Sequence, residues 1–313
     1  MRLLVTGGAG FIGSSLAMRL ASDHSVTVLD NAPESIDTLR SNGIRTLSGD
    51  VRDASCVSDV ARQQDAIFHF AAVVGVPHAM NRQWDSLTTT TVGTTNVLLA
   101  ARHYAIPVFI ASSSAVYGKI REVRVKEEDD IVLGNTDKPS WTYSTAKLTE
   151  ELLALAAYTD LGVSVKIGRF FNVIGPGQSD VHGMVVPRLV DRALRGEPLP
   201  VYGDGTQTRT FVDVEDALDG LLLVWNKGDW GRAYNIGGID EIRIVDLALR
   251  VKALTASSSP IEFRPFASVF GRNFEETMRR APDIERLRQL GYQPRRTLDD
   301  TLSRVIAWRS KLQ

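Results

Sequence analysis

One cysteine, Cys56, stands in 313 residues. It cannot form an internal disulfide, so a disulfide scaffold and a cysteine-built metal site are both excluded. An excess of either charge is missing too: 36 Lys and Arg face 37 Asp and Glu, a formal net charge of −1. Such a balance offers no electrostatic case for nucleic acid or for an acidic membrane surface. No apolar run approaches the roughly 20 residues of a membrane-spanning helix. There is no internal repeat and no low-complexity segment. The five histidines, His24, His69, His78, His103 and His182, are scattered with no pair at ligand spacing, so no metal site is expected. His69 reads as a packed strand residue; only His78 and His182 stand where a pocket could use them. The chain opens on Arg2-Leu3-Leu4-Val5-Thr6 and runs straight into a glycine loop, without a secretory leader. With a lone thiol, this points to a soluble, cytoplasmic protein.

What is present is an alternation of strand and helix signals. Leu3–Thr6 is a short apolar run of the kind buried on both faces of a sheet. Gly7-Gly8-Ala9-Gly10-Phe11-Ile12-Gly13 follows, and a helical pattern runs from Ser14 to Ala21. Strand, glycine turn and helix in that order let backbone approach a pyrophosphate, with free N–H groups and a positive dipole end facing it. A second strand, Val26–Leu29, ends at Asp30 and Asn31. An acidic residue there suits a hydrogen bond to an adenosine ribose, and its charge repels a 2′-phosphate. No arginine follows immediately, so NAD is favoured over NADP.

The alternation continues with a helix near 34–40, a strand near 44–47, a helix from Asp53 and a strand at Ala66–His69. Gly49-Asp50-Val51 lies at a strand end, on the edge where a doubly wound sheet holds its ligand. Trp84–Ala105 reads as one long helix despite its threonines, which are poor helix formers. Pro107–Ala111 is a strand leading into Ser112-Ser113-Ser114-Ala115-Val116-Tyr117-Gly118. No Gly-x-Ser-x-Gly elbow surrounds these serines, so a hydrolase nucleophile is not indicated. Lys126–Lys138 is an acidic loop.

Ser140-Trp141-Thr142-Tyr143-Ser144-Thr145-Ala146-Lys147 then opens a helix reaching about Tyr158. Tyr143 and Lys147 lie one turn apart on one face. A free phenol, with a pKa of about 10, is a poor base at neutral pH. An ammonium one turn away, in a dry site beside a second positive charge, favours the phenolate. Beyond the strand Val163–Ile167 the strict alternation ends near Gly175, and a second, smaller region begins. Ala233–Ile236 reads as a strand returning to the main sheet. The arginines between 272 and 296 alternate with Glu275, Glu276, Asp283 and Glu285, so most belong to a solvated surface rather than a nucleic-acid patch.

Seven motifs in this order resemble the extended short-chain dehydrogenase/reductase family, in its NAD-dependent nucleotide-sugar epimerase/dehydratase group. They are the glycine loop, Gly49–Asp53, His69–Ala72, Ser113–Gly118, Tyr143–Lys147, Arg169–Val173 and Gly203–Arg209, and the likeness extends to Leu290–Pro294. The resemblance implies an α/β fold: a Rossmann-type doubly wound parallel sheet with a smaller, discontinuous C-terminal substrate-binding region. Residues 1–173, with 210–250 returning to them, would hold NAD; 174–209 and 251–313 would hold a nucleotide-diphosphate sugar.

By the same resemblance, Ser113, Tyr143 and Lys147 would be catalytic. Gly7, Gly10, Phe11, Ile12, Gly13, Asp30 and Asn31 would line the cofactor. So would Asp50 and Val51 about the adenine, Phe70, Ala71 and Ala72 beside the pyrophosphate, and Ser112, Phe170 and Val173. Ser113, Ser114, Asn172, Val186 and Tyr202 would touch the sugar nucleotide, and Arg209 and Arg280 its diphosphate. The expected reaction removes a proton from a sugar hydroxyl and a hydride from its carbon, at C4. Family 4,6-dehydratases carry an Asp-Glu pair after the catalytic residue, and uronate decarboxylases a Glu at the position of Ala115. Ser114 and Ala115 stand there instead, which leaves epimerisation at C4 as the expectation. Other sugar-nucleotide chemistries of the family, a reductase included, are the alternatives. A non-catalytic NAD-binding sensor is the reading from another class. Relatives pair through two long helices, so a homodimer is expected.

Overall fold

The computed structural model describes residues 1–32, 36–119, 124–180, 184–271 and 273–312. In chain order the first strands are β1 (Arg2–Thr6), β2 (Ser25–Asp30), β3 (Arg45–Ser48), β4 (Ala66–His69), β5 (Val108–Ser113) and β6 (Val165–Phe170). Shorter ones follow: β7 (Val173–Ile174), β8 (Leu199–Tyr202), β9 (Thr208–Thr210), β10 (Val212–Asp213), β11 (Arg232–Ile236), β12 (Glu241–Arg243), β13 (Ile261–Arg264) and β14 (Arg279–Arg280). The helices of the first half are α1 (Phe11–Leu20), α2 (Ile36–Ser41), α3 (Ala54–Ala61), α4 (Val76–Asn81), α5 (Gln83–Tyr104) and α6 (Thr142–Leu161). Those of the second are α7 (Val185–Leu194), α8 (Val214–Lys227), α9 (Ile244–Leu254), α10 (Phe266–Phe270), α11 (Glu285–Gln289) and α12 (Leu298–Arg309).

Seven strands form one parallel sheet in the order β11-β6-β5-β4-β1-β2-β3. The chain winds outward from β1 in one direction and from β4 in the other, so a crevice opens between their carboxyl ends. Alternate side chains of each strand enter opposite cores. Leu3 and Val5 of β1 and Phe68 of β4 pack with α1 and α8, through Leu16, Leu20, Leu218 and Leu221. Leu4 and Ile67 face the other way, onto Val57 of α3, Val97 and Leu98 of α5 and Ala154 of α6. This is a Rossmann-type doubly wound sheet, and β11 pairs with β6 as a returning strand should.

Threonine-rich α5 forms despite its low propensity because one face of it is buried, through Val97, Leu98 and Ala101, against the neighbouring elements. Thr88, Thr91 and Thr95 donate to the carbonyls of Trp84, Leu87 and Thr91 at 2.7–2.8 Å. Thr90 and Thr94 are buried against the neighbouring elements. Ser140 and Trp141 belong to a 3-10 turn, Pro139–Trp141, rather than to α6 itself, and α6 runs past Tyr158 until Gly162 turns left-handed at φ 71°. The helix expected near 34–40 is α2, beginning at Ile36; residues 33–35 lie outside the described ones.

A second core joins α7, β8, α9 and α12 through Leu189, Val201, Leu247 and Leu302. Residues 210–250 therefore divide: α8 and β11 pack on the main sheet, and α9 packs on this second core. A separate three-stranded sheet has the order β12-β9-β14. Among the described residues no helix is long and apolar enough to cross a membrane.

Candidate active site

The glycine loop leaves β1 at Gly7, whose φ is +69°. A Cβ there would lie 2.5 Å from the Ala71 nitrogen, so only glycine lets the loop close on the Phe70-Ala71 backbone. Gly13 is as tightly placed, its would-be Cβ 2.4 Å from the Gly7 carbonyl. Helix α1 begins after Gly10 with no side-chain cap and no acidic residue in its first turn. The N–H groups around Phe11 and Ile12 are thus left for a ligand. Asp30 closes β2 and accepts from the backbone N–H groups of Ala9 (2.9 Å) and Ala32 (3.0 Å). Open N–H donors, a carboxylate at the end of β2, and the short side chains of Ala71 and Ala72 beside them fit a dinucleotide.

Gly10 provides a clean test of that fit. Its Cβ would meet nothing closer than the Gly7 carbonyl at 3.3 Å. Gly10→Ala is expected to weaken NAD binding at least tenfold by calorimetry, about 1.4 kcal/mol, while Tm stays within about two degrees. Undiminished NAD affinity would place the pyrophosphate elsewhere.

Asp50 and Val51 are less free than their motif implies. Arg52 grips the Asp50 carboxylate at 2.6 Å and, with Asn31 also bonding, holds it below the usual carboxylate range. Val51 is buried behind Gly93, whose would-be Cβ lies 2.5 Å from the Val51 side chain. Phe170 and Val173 are almost enclosed in the sheet-top core, where Phe70 packs 6.0 Å from the Phe170 ring. The Ser112 hydroxyl is turned inward and donates to Glu151.

β5 extends to Ser113, which caps the 3-10 turn Ser114–Tyr117 by accepting from the Ala115 N–H at 3.2 Å. Ser114 and Ala115 are 3% and 2% exposed, and neither brings a titratable group. One helix away, Lys147 is 2% exposed and donates to the Ala111 carbonyl and to Glu150 Oε2, both at 2.8 Å. Burial opposes the Lys147 charge, but Glu150 and the Tyr143 oxygen hold its ammonium above the usual range. Tyr143 is half-buried at the start of α6.

β9 and β14 pair in register with Arg209 opposite Arg280. Arg209 pairs with Glu276 at 2.6 Å. Arg280 makes no ion pair within 4 Å among the described residues: one Nη donates to Thr277 Oγ1 at 3.1 Å, and its buried Nε has no partner among them. Burial, then the neighbouring Arg209, bring the Arg280 guanidinium down to about 10. Two guanidinium groups against one carboxylate leave a net positive site suited to a diphosphate or another anion. The Tyr143 oxygen interacts electrostatically with Arg280 as well as with Lys147.

Asn172 follows β6 at φ 26° and donates from Nδ2 to the Thr210 carbonyl at 2.8 Å. Tyr202 ends β8 with Arg188 over its ring at 4.5 Å and Phe270 edge-on at 5.2 Å. Val186 departs from expectation: it is wholly buried in the second core beside Leu189 and presents no surface to a ligand. His182 lies outside the described residues. His69 is a packed strand residue, 0% exposed between Thr6 and Thr94. Motif reading missed Glu150, Glu151 and Glu276. The first two follow Lys147 at helical spacing, a signal that was visible; Glu276 reaches Arg209 only through the fold.

The model of the NAD dependent epimerase/dehydratase family matches residues 3–237. The UDP-N-acetyl-alpha-D-glucosaminuronate decarboxylase of Bacillus cytotoxicus is 37% identical, over 98% of this chain and 97% of that protein. Two solved structures share the fold over nearly the whole length. The dTDP-glucose 4,6-dehydratase DesIV of Streptomyces venezuelae, with NAD bound, superposes with a TM-score of 0.89 at 29% identity, covering 99% of this chain and 97% of that one. The UDP-glucuronic acid 4-epimerase of Bacillus cereus, in complex with NAD, gives a TM-score of 0.89 at 27% identity, with 100% of both chains covered.

Proposed function

The chain belongs to the NAD dependent epimerase/dehydratase family, and from that membership we propose that it epimerises a nucleotide-diphosphate sugar at C4 through a 4-keto intermediate. The observation that carries the reading is the turn after Ser113, where Ser114 and Ala115 are buried and offer no acid or base. Epimerisation needs none: the keto-sugar turns over and is reduced on its other face. Elimination across C5 and C6 needs both.

In this reading Tyr143 removes the proton from the C4 hydroxyl, with Ser113 bracketing the same oxygen. Lys147, one turn on, favours the phenolate and keeps a third N–H, without a partner among the described residues, for the cofactor ribose. When bound, NAD supplies the hydride acceptor. Arg209 and Arg280 hold the diphosphate, so the reacting carbon is positioned by binding energy remote from it. Residues 1–173 with α8 and β11 hold the cofactor; 174–209 and 251–313, joined by α9, hold the sugar nucleotide.

A second reading, decarboxylation of a uronate, is favoured by the buried Arg280 Nε, which has no hydrogen-bond partner among the described residues, and by the named activity of the 37% identical relative. A 4-keto uronate is a β-keto acid and can lose CO₂ without a protein carboxylate, provided a cation orients the C6 group. The purified protein, incubated with paired neutral and uronate UDP- and dTDP-sugars, distinguishes the two by NMR. A C4 epimer of a neutral sugar supports epimerisation; ¹³CO₂ from a C6-labelled uronate selects the second reading; no turnover on the panel sinks both.

The exposed stripe of α5 and α6 supports a homodimer. Trp84, Val92 and Leu99 on α5 and Leu152 on α6 are 78%, 42%, 50% and 58% exposed, on helices that pack side by side. Sedimentation is expected to show a dimer, and Leu99→Glu with Leu152→Glu to yield a folded monomer. A double variant that stays dimeric would move the interface to another face.

A further inference from the structure

Glu150 enters no step above, yet it is among the most enclosed charges of the molecule, 0% exposed. It stands one turn beyond Lys147 on α6 and takes the ammonium on Oε2 at 2.8 Å. Its other oxygen faces α5 and β4, with Thr94 Oγ1 at 3.3 Å and His69 Nε2 at 3.8 Å. His69 Nε2 lies 3.1 Å from Thr94 Oγ1, and His69 Nδ1 lies 2.6 Å from Thr6 Oγ1, at the last residue of β1 before the glycine loop. Thr6, His69, Thr94 and Glu150 are each 0% exposed.

The protons of this chain have only one consistent arrangement while Glu150 is ionised. Burial, then the nearby Lys147, keep the His69 imidazole neutral, its pKa brought down to about 3, so it has one donor and one acceptor nitrogen. A carboxylate only accepts. Thr94 therefore donates to Glu150, His69 Nε2–H donates to Thr94, and the Thr6 hydroxyl donates to His69 Nδ1. The remaining charged neighbour, Glu151 on the same helix, is paired with Arg169, which donates to it at 2.8 Å, and its charge also raises the Glu150 carboxyl. Lys147 is left as the cation that Glu150 answers, and burial pushes the Glu150 carboxyl up to about 7 against it.

We propose that Glu150 is a positioning residue for the Tyr143–Lys147 pair: its carboxylate orients the ammonium and offsets part of its charge, and the Thr94–His69–Thr6 chain holds that carboxylate. An ammonium already paired with a carboxylate exerts a weaker field on the neighbouring phenol. Removing the negative charge makes proton removal from the phenol easier. The inference rests on the reading of Tyr143 as the proton acceptor.

Two readouts test it. In Glu150→Gln, the acidic limb of the pH profile of kcat/KM is expected to move down by about one unit, with KM little changed. Lys147 still donates to the amide oxygen, so the new NH₂ faces Thr94 and reverses the chain. ¹⁵N NMR of the histidine rings should show His69 protonated at Nε2 in the wild type and at Nδ1 in this variant. Thr94→Val removes one donor to Glu150 and should move the limb the same way by less; it decides the question if Glu150→Gln does not fold. Profiles that superimpose on the wild type, with the His69 tautomer unchanged, overturn the proposal. A wild type without turnover would defeat the reading of Tyr143 instead, and the tautomer would still report whether Glu150 governs the chain.

Discussion

Phenylalanine in place of Tyr143 is expected to lower turnover by about 10²- to 10⁴-fold, the range a positioned acid–base group contributes. The change removes one oxygen from a half-buried ring at the start of α6 and leaves the glycine loop, Asp30 and Lys147 in place. NAD affinity should stay within a few-fold and Tm within about two degrees, because the Lys147 ammonium keeps its bonds to Ala111 and Glu150. Steady-state kinetics with the active sugar nucleotide and calorimetric NAD binding check both halves. Turnover close to the wild type would remove Tyr143 from the proton transfer, whatever the fate of the 4-keto intermediate.

Arg169→Met is expected to be the most destabilising single change near the site, at about 3–5 kcal/mol. Arg169 donates to Glu151 through Nε at 3.0 and 3.2 Å and through Nη2 at 2.8 Å. Its Nη1 reaches the Tyr117 hydroxyl at 2.9 Å, which itself donates to Asn235 on the neighbouring β11 at 2.7 Å. Methionine fills the volume but leaves Glu151, 2% exposed, with Ser112 as its remaining partner. For a chain of this size the loss corresponds to a fall in Tm of about five to eight degrees. The double variant Arg169→Met, Glu151→Leu should recover most of it, since an apolar pair of similar volume often replaces a buried ion pair at little cost. A single variant melting within two degrees of the wild type would show that the pair carries no such weight.

Both predictions concern side chains whose types were readable at the outset, but only one concerns a role that was. Tyr143 and Lys147 share a helix face by a spacing that is local, and their expected role came with the resemblance of the motifs around them. The pairing of Arg169 with Glu151 joins β6 to α6, 18 residues apart, and nothing in either segment names the partner. Arg209 and Arg280 show the same limit. The register of β9 with β14 puts them opposite each other, and Glu276 then pairs directly with Arg209. Val186 shows it again: which face of α7 turns inward depends on α9, β8 and α12.

By itself the sequence determined the order of strands and helices through β6, the glycine loop with Asp30, and the placing of Tyr143 and Lys147 on one face of α6. Each of these rests on a period of two or of 3.6 residues, or on turn chemistry, and such signals act between neighbours in the chain. The tertiary structure decided which charges are answered. Glu150 beside Lys147 is an ordinary helical pair in solution; with Thr94, His69 and Thr6 closed around it at 0% exposure, it is a buried ion pair. The reason is dielectric: a charge in water interacts weakly with its neighbours, and only folding, which removes the water, makes the identity of each partner count.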